Sequence, residues 1–272
     1  MKKDRRDFLK LAGVVAAAGI GATSAFQSLL GGEAEAAGLA RVGAAKKSTD
    51  GTRLGMAIDI RKFADNQELA QRCIEACHSI HNVPDFRNSK DEIKWLWNEK
   101  FENVFAKDTH TRQSPALQGL PVLTLCNHCD NPPCVRACPT KATFKKDDGI
   151  VGMDYHRCIG CRFCMAACPY GARSFNWRDP RGTDDKGRPF IRELNQKYPS
   201  RTRGVVEKCN FCTERLAVGE LPACVEVAAP HDAMFFGDLN DPNSKISRVL
   251  REKFTIQRRP SLGTYPSVFY II

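Results

Sequence analysis

The sequence predicts an α+β fold of tandem modules with pseudo-twofold symmetry, to which an insert and a C-terminal tail are added. Two observations lead to this prediction. The first is a pair of similar cysteine runs, C-x2-C-x4-C-x3-C-P over 126–139 and C-x2-C-x2-C-x3-C-P over 158–169. The second is a short segment at the same place after each run, Ala142–Phe144 and Ala172–Phe175. A cysteine loop, a short helix and a strand are therefore expected twice.

The spacing within these two runs indicates cubane [4Fe-4S] clusters. Three close cysteines wrap one corner of a cubane, and in two-cluster ferredoxins the fourth cysteine ligates the neighbouring cluster. A single CxxC pair would leave a zinc ribbon or disulfides open. Two runs of four cysteines, each closed by Cys-Pro, favour clusters over zinc. We therefore expect residues 120–178 to form a central bacterial ferredoxin-like module that holds two clusters through crossed ligands.

Segments on both sides of this module predict a second, outer module. Leu54–Ile60 is expected to be a strand, and the helical stretch after it carries Cys73 and Cys77. A third cysteine run, C-x2-C-x11-C, occupies 209–224. Residues 54–85 and 200–240 together are expected to form the outer ferredoxin-like module.

The remaining segments give weaker signals. Residues 86–119 lack cysteine and contain clustered aromatic residues, which favours a small packed insert, with a partner-docking surface as the alternative. Apolar runs on both sides of Asp148-Gly149 predict a hairpin. Residues 179–199 are expected to form a connecting loop. Residues 241–272 are expected to be a tail that wraps the fold or contacts a partner.

The N-terminal residues indicate export. Arg5-Arg6 followed by Phe8-Leu9-Lys10 is typical of a twin-arginine signal, which we expect to span 1–37, with a linker over 38–53. The apolar stretch after it is short and weakly hydrophobic for a membrane span, although an uncleaved anchor is the alternative. This route exports folded proteins, so the clusters could be inserted before export. We therefore expect the protein in the periplasm or on the outer face of the cytoplasmic membrane, with membrane contact only through partners.

The formal net charge of +10 does not indicate a nucleic-acid partner. Removal of residues 1–37 leaves +9, because this segment holds five basic and four acidic residues. An oxidised cubane with four thiolates carries about −2, so three clusters bring the mature holoprotein to about +3. Such a balance is too small to predict nucleic-acid binding.

From about residue 54 to residue 266, the chain resembles the exported four-motif ferredoxin subunits of membrane-bound oxidoreductases. These include the electron-transfer subunits of polysulfide, dimethyl sulfoxide and nitrite reductases. The run C-H-S-I-H-N-V-P over Cys77–Pro84 and the segment Lys94–Trp97 are similar to one branch of this family. That branch is the periplasmic iron–sulfur subunit of the sulfate reducers' membrane redox complex, the heterodisulfide-reductase-like menaquinol oxidoreductase.

The resemblance implies four cysteine motifs, and the first and last of them are incomplete here. In the family, the middle motifs exchange their fourth cysteines, and the first and last motifs do the same. Counting back from Cys73, the missing ligands of the first motif fall at Ala70 and Gln67; counting forward from Asp59, the first ligand position falls at Phe63. In the last motif, Ala228 stands at the fourth position. One cluster thus lacks three of its four ligands, so we expect three [4Fe-4S] clusters, with Cys73 a buried free thiol.

The ligand sets implied by this crossed scheme use twelve of the thirteen cysteines. Set A consists of Cys126, Cys129, Cys134 and Cys168. Set B consists of Cys158, Cys161, Cys164 and Cys138. Set C consists of Cys209, Cys212, Cys224 and Cys77. Since each set already has four thiolates, the neighbouring His78, His81 and His128 are expected to tune the clusters and not to ligate them. Phe163, Phe211, Tyr155 and Tyr170 are expected to shield the clusters from water.

These features predict an electron-transfer subunit that is not catalytic alone. By resemblance, its partners are a polytopic quinone-binding membrane subunit and a multihaem cytochrome c, in sulfur or sulfate metabolism. The alternative is the iron–sulfur subunit of a molybdopterin reductase for polysulfide, thiosulfate or a similar acceptor. A third hypothesis is an exported protein, stapled by disulfides or binding zinc, without a redox role.

Overall fold

The computed structural model describes residues 51–105 and 115–272. The predicted signal peptide and residues 38–50 of the predicted linker lie outside the described residues. The strands are β1 (Leu54–Asp59), β2 (Leu96–Lys100), β3 (Pro121–Leu125), β4 (Thr143–Lys145), β5 (Val151–Met153), β6 (Ser174–Phe175), β7 (Val206–Glu207), β8 (Met234–Asp238), β9 (Thr255–Ile256) and β10 (Val268–Ile271). The helices are α1 (Ile60–Asp65), α2 (Gln67–Ile80), α3 (Phe101–Val104), α4 (Pro133–Arg136), α5 (Phe163–Ala167), α6 (Thr213–Leu216), α7 (Ala223–Ala228) and α8 (Lys245–Glu252).

Strand β1 lies inside a four-stranded sheet of order β8-β1-β10-β9. It pairs antiparallel with β8 and parallel with β10. Because successive side chains of a strand point to opposite faces, Met56 and Ile58 enter the main core, whereas Ala57 packs with Ile246 of helix α8. Gly55 is required in this strand, since a Cβ there would lie 2.6 Å from the Leu239 side chain and 2.8 Å from the Ser267 carbonyl oxygen.

The C-terminal segment 241–272 is part of this sheet and is not a separate tail. Strand β10 lies between β1 and β9, and its Tyr270 is completely buried. The apolar run Val268–Ile271 forms this strand because β1 has a second edge whose backbone groups would otherwise remain unpaired.

Helix α2 is the predicted helix that carries Cys73 and Cys77. The Asn66 side chain accepts a hydrogen bond from the Leu69 backbone N–H at 2.9 Å and so caps its start. The buried positions Leu69, Cys73 and Cys77 recur every four residues and form one face, which packs against helix α7. Segments that are far apart in the sequence, one before and one after the central module, are thereby joined.

The described part of the insert 86–119 packs into the core. Strand β2 pairs antiparallel with β3, and Trp95, Leu96, Val104 and Phe105 are at most 1% exposed. Side chains buried in this way cannot form a docking surface.

The central segment contains two short antiparallel pairs. Strands β4 and β5 form the predicted hairpin on both sides of Asp148-Gly149. Strand β6 pairs instead with β7, on the far side of the segment 179–199, which has no helix or strand. Each cysteine run contains a short helix that carries its third cysteine and is followed by a strand, α4 and β4 in the first case and α5 and β6 in the second. Among the described residues, no helix is long and apolar enough to cross a bilayer.

Candidate functional site

All thirteen cysteines lie in the described residues, and all are free thiols. The disulfide hypothesis therefore has no support in the structure. Most are buried, whereas Cys138, Cys158, Cys161 and Cys168 are half-buried. A dense set of free thiols without disulfides is the donor set that an iron–sulfur cluster requires.

A common turn bends three of the cysteine loops. The residue directly before the second cysteine has a left-handed backbone in each loop, with φ of 41° at His128, 72° at Gly160 and 57° at Phe211. Residues other than glycine rarely adopt this conformation unless their surroundings enforce it. His128 and Phe211 support each other, because their rings stack 3.7 Å apart, and His128 Nδ1 also accepts the Val151 backbone N–H at 3.1 Å. His128 therefore has a structural role in the turn.

The structure brings together the four cysteines of set A. Cys126, Cys129, Cys134 and Cys168 line one small cavity, together with Tyr170 and Arg173. Burial raises the pKa of the Cys129 thiol, and the neighbouring Cys126 and Cys134 raise it further. Sulfurs that oppose each other's ionisation in this way need a cationic group among them, which an iron–sulfur cluster supplies.

The structure also brings together the four cysteines of set C. Cys77 comes from helix α2, and Cys224 comes from helix α7, which packs against it. Burial raises the pKa of the Cys77 thiol, and Cys209, Cys224 and Cys212 raise it further. The distant Cys77 therefore belongs electrostatically with the third cysteine run.

His81 lies beside set C. Its Nδ1 is 2.7 Å from the Cys77 carbonyl oxygen and 3.8 Å from the Cys77 sulfur. Its Nε2 is 2.7 Å from Glu214 Oε1. The ligand atoms of His81, Cys212 and Glu214 lie within 4.8 Å of one another, so these residues alone could hold a metal ion. Because both ring nitrogens already have oxygen partners, we assign His81 to the surroundings of the thiolates and not to the ligands.

Set B lies nearest the surface. Burial raises the pKa of the Cys164 thiol, and Cys134 and Cys158 contribute in the same direction. Cys138 follows helix α4, which packs against the Cys164-bearing helix α5. Burial raises the pKa of Cys138, but hydrogen bonds from the Thr143 and Thr140 N–H groups and the Thr140 hydroxyl outweigh burial and lower it. These donors favour a thiolate at Cys138.

The segment that would hold the missing ligands is not a loop. Residues 67–80 form the continuous helix α2, without a left-handed residue. Ala70, Cys73 and Ala228 are completely buried, and the Cys73 thiol donates a hydrogen bond to the Cys224 carbonyl oxygen at 3.4 Å. Burial raises the pKa of Cys73 to about 12. A neutral thiol among packed helices replaces a ligand loop here.

Two buried cations lie close to the cysteines, and sequence reasoning did not single them out. Arg173 Nη2 donates to the Cys134 sulfur at 3.0 Å, and Arg173 Nη1 donates to Thr143 Oγ1 at 3.2 Å. Lys208 Nζ donates to the carbonyl oxygens of Cys209 and Val151. The position of Lys208 directly before a cysteine run was the available signal. Buried cations stabilise an anionic group in their neighbourhood.

The predicted shielding by aromatic residues is correct only in part. Tyr170 and Phe211 are buried at 4% and 1% exposure. Phe163 is 60% exposed, so the prediction that it shields a cluster is wrong.

Known proteins share these features. Residues 120–183 match the family model of the 4Fe-4S dicluster domain. The chain is 42% identical over 236 residues to the Hdr-like menaquinol oxidoreductase iron-sulfur subunit 1 of Archaeoglobus fulgidus, with 80% of this chain and 82% of that protein covered. It is 34% identical over 238 residues to the menaquinone reductase iron-sulfur cluster-binding subunit of Nitratidesulfovibrio vulgaris, with 80% and 88% covered.

A third relative is the B subunit of the polysulfide reductase of Wolinella succinogenes. It is 37% identical over 204 residues, which cover 74% of this chain and 86% of that protein. The buried free cysteines, the left-handed turn shared by three cysteine loops and these sequence similarities all indicate an iron–sulfur protein. The chain belongs to the family of iron–sulfur subunits of oxidoreductase complexes that contain a 4Fe-4S dicluster domain, and it transfers electrons.

Proposed function

We propose that the chain holds three [4Fe-4S] clusters and relays electrons between a quinone-binding membrane subunit and a second redox partner. The left-handed turn before the second cysteine carries the count of three. It occurs at His128, Gly160 and Phe211, once in each of the last three cysteine motifs. The first motif is replaced by helix α2, which as a continuous helix does not wrap the corner of a cubane.

The proposed ligand sets are A, B and C as defined above. The cavity around set A and the mutual influence of the set C thiols support two of them directly. The repeated order of loop, helix and strand supports a central ferredoxin-like module with pseudo-twofold symmetry. The outer module would then retain one cluster of an original pair.

A bound cubane accepts and passes on one electron at a time. The chain's own residues hold the thiolates, exclude water and balance charge. Tyr170 lines the cavity of set A, and the buried Phe211 ring stacks on His128. Arg173 and Lys208 place positive charge where a cluster would carry negative charge. No proton needs to move at these two side chains for an electron to pass.

Set B is best placed for exchange with a partner. Its Cys158 and Cys161 are half-buried, and the adjacent Ile159 and Phe163 are 67% and 60% exposed. Large exposed apolar side chains beside a redox centre are typical of a contact surface. Short paths from the set B thiolates to the surface favour electron transfer across it.

The partners and location follow from resemblance and from the names of the relatives. Two relatives are named for menaquinol or menaquinone, which supports a quinone-binding membrane subunit as one partner. A multihaem cytochrome c is proposed as the other, in sulfate or sulfur metabolism. The twin-arginine residues Arg5-Arg6 support export through a signal peptide over 1–37. The protein would then function in the periplasm or on the outer face of the cytoplasmic membrane.

The iron and acid-labile sulfide content of anaerobically purified mature protein tests the proposal. Three cubanes require about 12 atoms of each per chain. About 16 would mean that a non-cysteine ligand completes a fourth site, and about 8 would mean that one of the three sets does not hold a cluster. A colourless protein containing only zinc would contradict the electron-transfer function itself.

The similarity to the B subunit of polysulfide reductase supports a second candidate, the iron–sulfur subunit of a molybdopterin reductase. The incomplete first motif argues against this candidate, because a reductase subunit of this kind is expected to keep four cysteine motifs and four clusters. Affinity purification from detergent-solubilised membranes distinguishes the two. Recovery of a molybdopterin protein would favour the reductase, whereas recovery of a multihaem cytochrome would favour the menaquinol complex.

A further inference from the structure

Arg173 occupies an unusual position between two ligand sets. The residue is only 5% exposed, and its Nη2 donates directly to the sulfur of Cys134 in set A. Its other terminal nitrogen is fixed by Thr143 Oγ1 on strand β4. Thr143 is itself enclosed, at 1% exposure, so the guanidinium is held from both ends.

The charge of Arg173 has no carboxylate partner among the residues described in the structure. Arg173 Nη2 donates to the Cys134 sulfur, the side chain lines the set A cavity together with Cys126, and Cys164 also lies beside it. Cys134 and Cys126 belong to set A, whereas Cys164 belongs to set B. The thiolates of two neighbouring sets are therefore the counter-charges of this arginine.

Other buried arginines differ in this respect. Arg201 forms an ion pair with Glu207, in which both side chains are fully buried. Arg258 donates to the carbonyl oxygens of Val104 and Tyr170. Neither of them donates to a cysteine sulfur in the described hydrogen bonds. The bond from Arg173 to Cys134 therefore has a role beyond filling the core.

A fixed cation and an N–H···S bond both favour the reduced cluster, because reduction adds one negative charge. Hydrogen bonds to the sulfurs and local charge are among the factors that set cluster potentials. The effect is large where water cannot screen it. It falls with distance. The Arg173 side chain donates to Cys134 of set A at 3.0 Å and also reaches Cys164 of set B, so set A is affected most.

We propose that Arg173 raises the reduction potential of the set A cluster above that of the same cluster without this side chain, and does so more than for set B. Arg173 is thus a tuning residue that biases where an electron rests within the central pair. The inference rests on the proposed function, since it requires clusters in sets A and B. Each reduction takes one electron from the titrant, dithionite, and releases no group from the protein.

The test compares full-length holoprotein with Arg173→Met in redox titrations followed by electron paramagnetic resonance. We expect the equilibrium constant for reduction of one cluster to fall at least tenfold, which is 59 mV for a one-electron couple. The other clusters should shift less. A Cys134→Ser variant identifies the affected signal as that of set A, because it changes the same ligand sphere.

Two further variants separate tuning from a structural role. Arg251→Met removes a charge on the exposed surface of helix α8, outside the three ligand sets, where water screens it, and should change every constant by less than about twofold. Arg173→Lys keeps the charge but loses the second nitrogen donor of the guanidinium. The reduction potential of its set A cluster should therefore lie between those of wild type and Arg173→Met. Iron content is measured for every variant.

Three outcomes would overturn the inference. One is an Arg173→Met protein with full iron and unchanged potentials. Another is an equal shift of all clusters, which would indicate a general change in charge. The third is loss of iron in both Arg173 variants, which would assign the residue a structural role only. Wild-type protein without cubane signals would instead contradict the proposed function, and so the two failures are distinguishable.

Discussion

Arg201 and Glu207 form an ion pair with a separation of 2.5 Å, and both side chains are completely buried. Glu207 also accepts a hydrogen bond from Trp95 Nε1 at 2.9 Å. Arg201 Nη2 donates to the Asn82 carbonyl oxygen at 3.0 Å. The pair therefore connects the insert and the segment after helix α2 to the strand that precedes the third cysteine run.

Glu207→Gln should destabilise the protein strongly, because it leaves the Arg201 charge buried without a counter-charge. Removal of one partner from a buried pair costs about 3–5 kcal/mol. The measurement is the urea midpoint of holoprotein under anaerobic conditions, followed by cluster absorbance. Asp232→Asn is the matched control, since its pair with Lys245 at 3.1 Å is exposed to water and should contribute little to stability. Equal midpoints for both variants would contradict the prediction.

Cys77 and Cys73 lie on the same face of helix α2 but should differ in their effect on iron content. Cys77→Ala should lose about four iron atoms, as one cubane requires, and Cys209→Ala should lose the same cluster. Cys73→Ala should lose none, because its thiol binds the Cys224 carbonyl oxygen and no metal. Iron analysis and electron paramagnetic resonance check this. Different missing signals in Cys77→Ala and Cys209→Ala would refute the crossed ligand set.

Restoring cysteines at the stripped motif should not restore a cluster. In the combined variant Gln67→Cys, Ala70→Cys and Ala228→Cys, the first two positions remain on the continuous helix α2. A helix places them along its axis, whereas the intact loops turn at a left-handed residue. Iron should stay at about 12 atoms per chain. A rise to about 16 would show that α2 can unwind around a cluster, with Ala228→Cys alone as the control.

The Cys73 thiol should resist alkylation. Burial raises its pKa to about 12, so at pH 9 only about one thiol in a thousand is ionised, and the thiolate is the nucleophile. Iodoacetamide at pH 9, followed by mass spectrometry, should leave Cys73 unmodified in native holoprotein. It should modify Cys73 rapidly once urea and a chelator unfold the chain, when the pKa returns to about 8.5. Rapid modification of the native protein would mean that the α2–α7 contact opens readily.

The sequence was informative where the determinants are local. Cysteine spacing predicted which side chains meet in the cavity of set A, and apolar periodicity predicted β1 and helix α2. The pairing of β10 with β1 could not be predicted, because the apolar run Val268–Ile271 does not specify its partner. The left-handed backbone at His128 could not be predicted from the sequence either. Of the three turn residues, only Gly160 is of a type that favours positive φ. At His128 and Phe211 the left-handed backbone accompanies the stacking of their two rings, which is a tertiary contact.

The pairing of β1 with strands near the other end of the chain has a kinetic consequence. The ligands of sets A and B fall within one continuous stretch, 126–168. Set C instead joins Cys77, which lies before this stretch, to Cys209, which lies after it, just as β1 pairs with β8 and β10 across it. Contacts between distant segments form slowly, because loop closure must precede them. We therefore expect the clusters to be acquired in a fixed temporal order, the central pair first and the outer one last. A chain arrested during maturation would accumulate with about eight iron atoms.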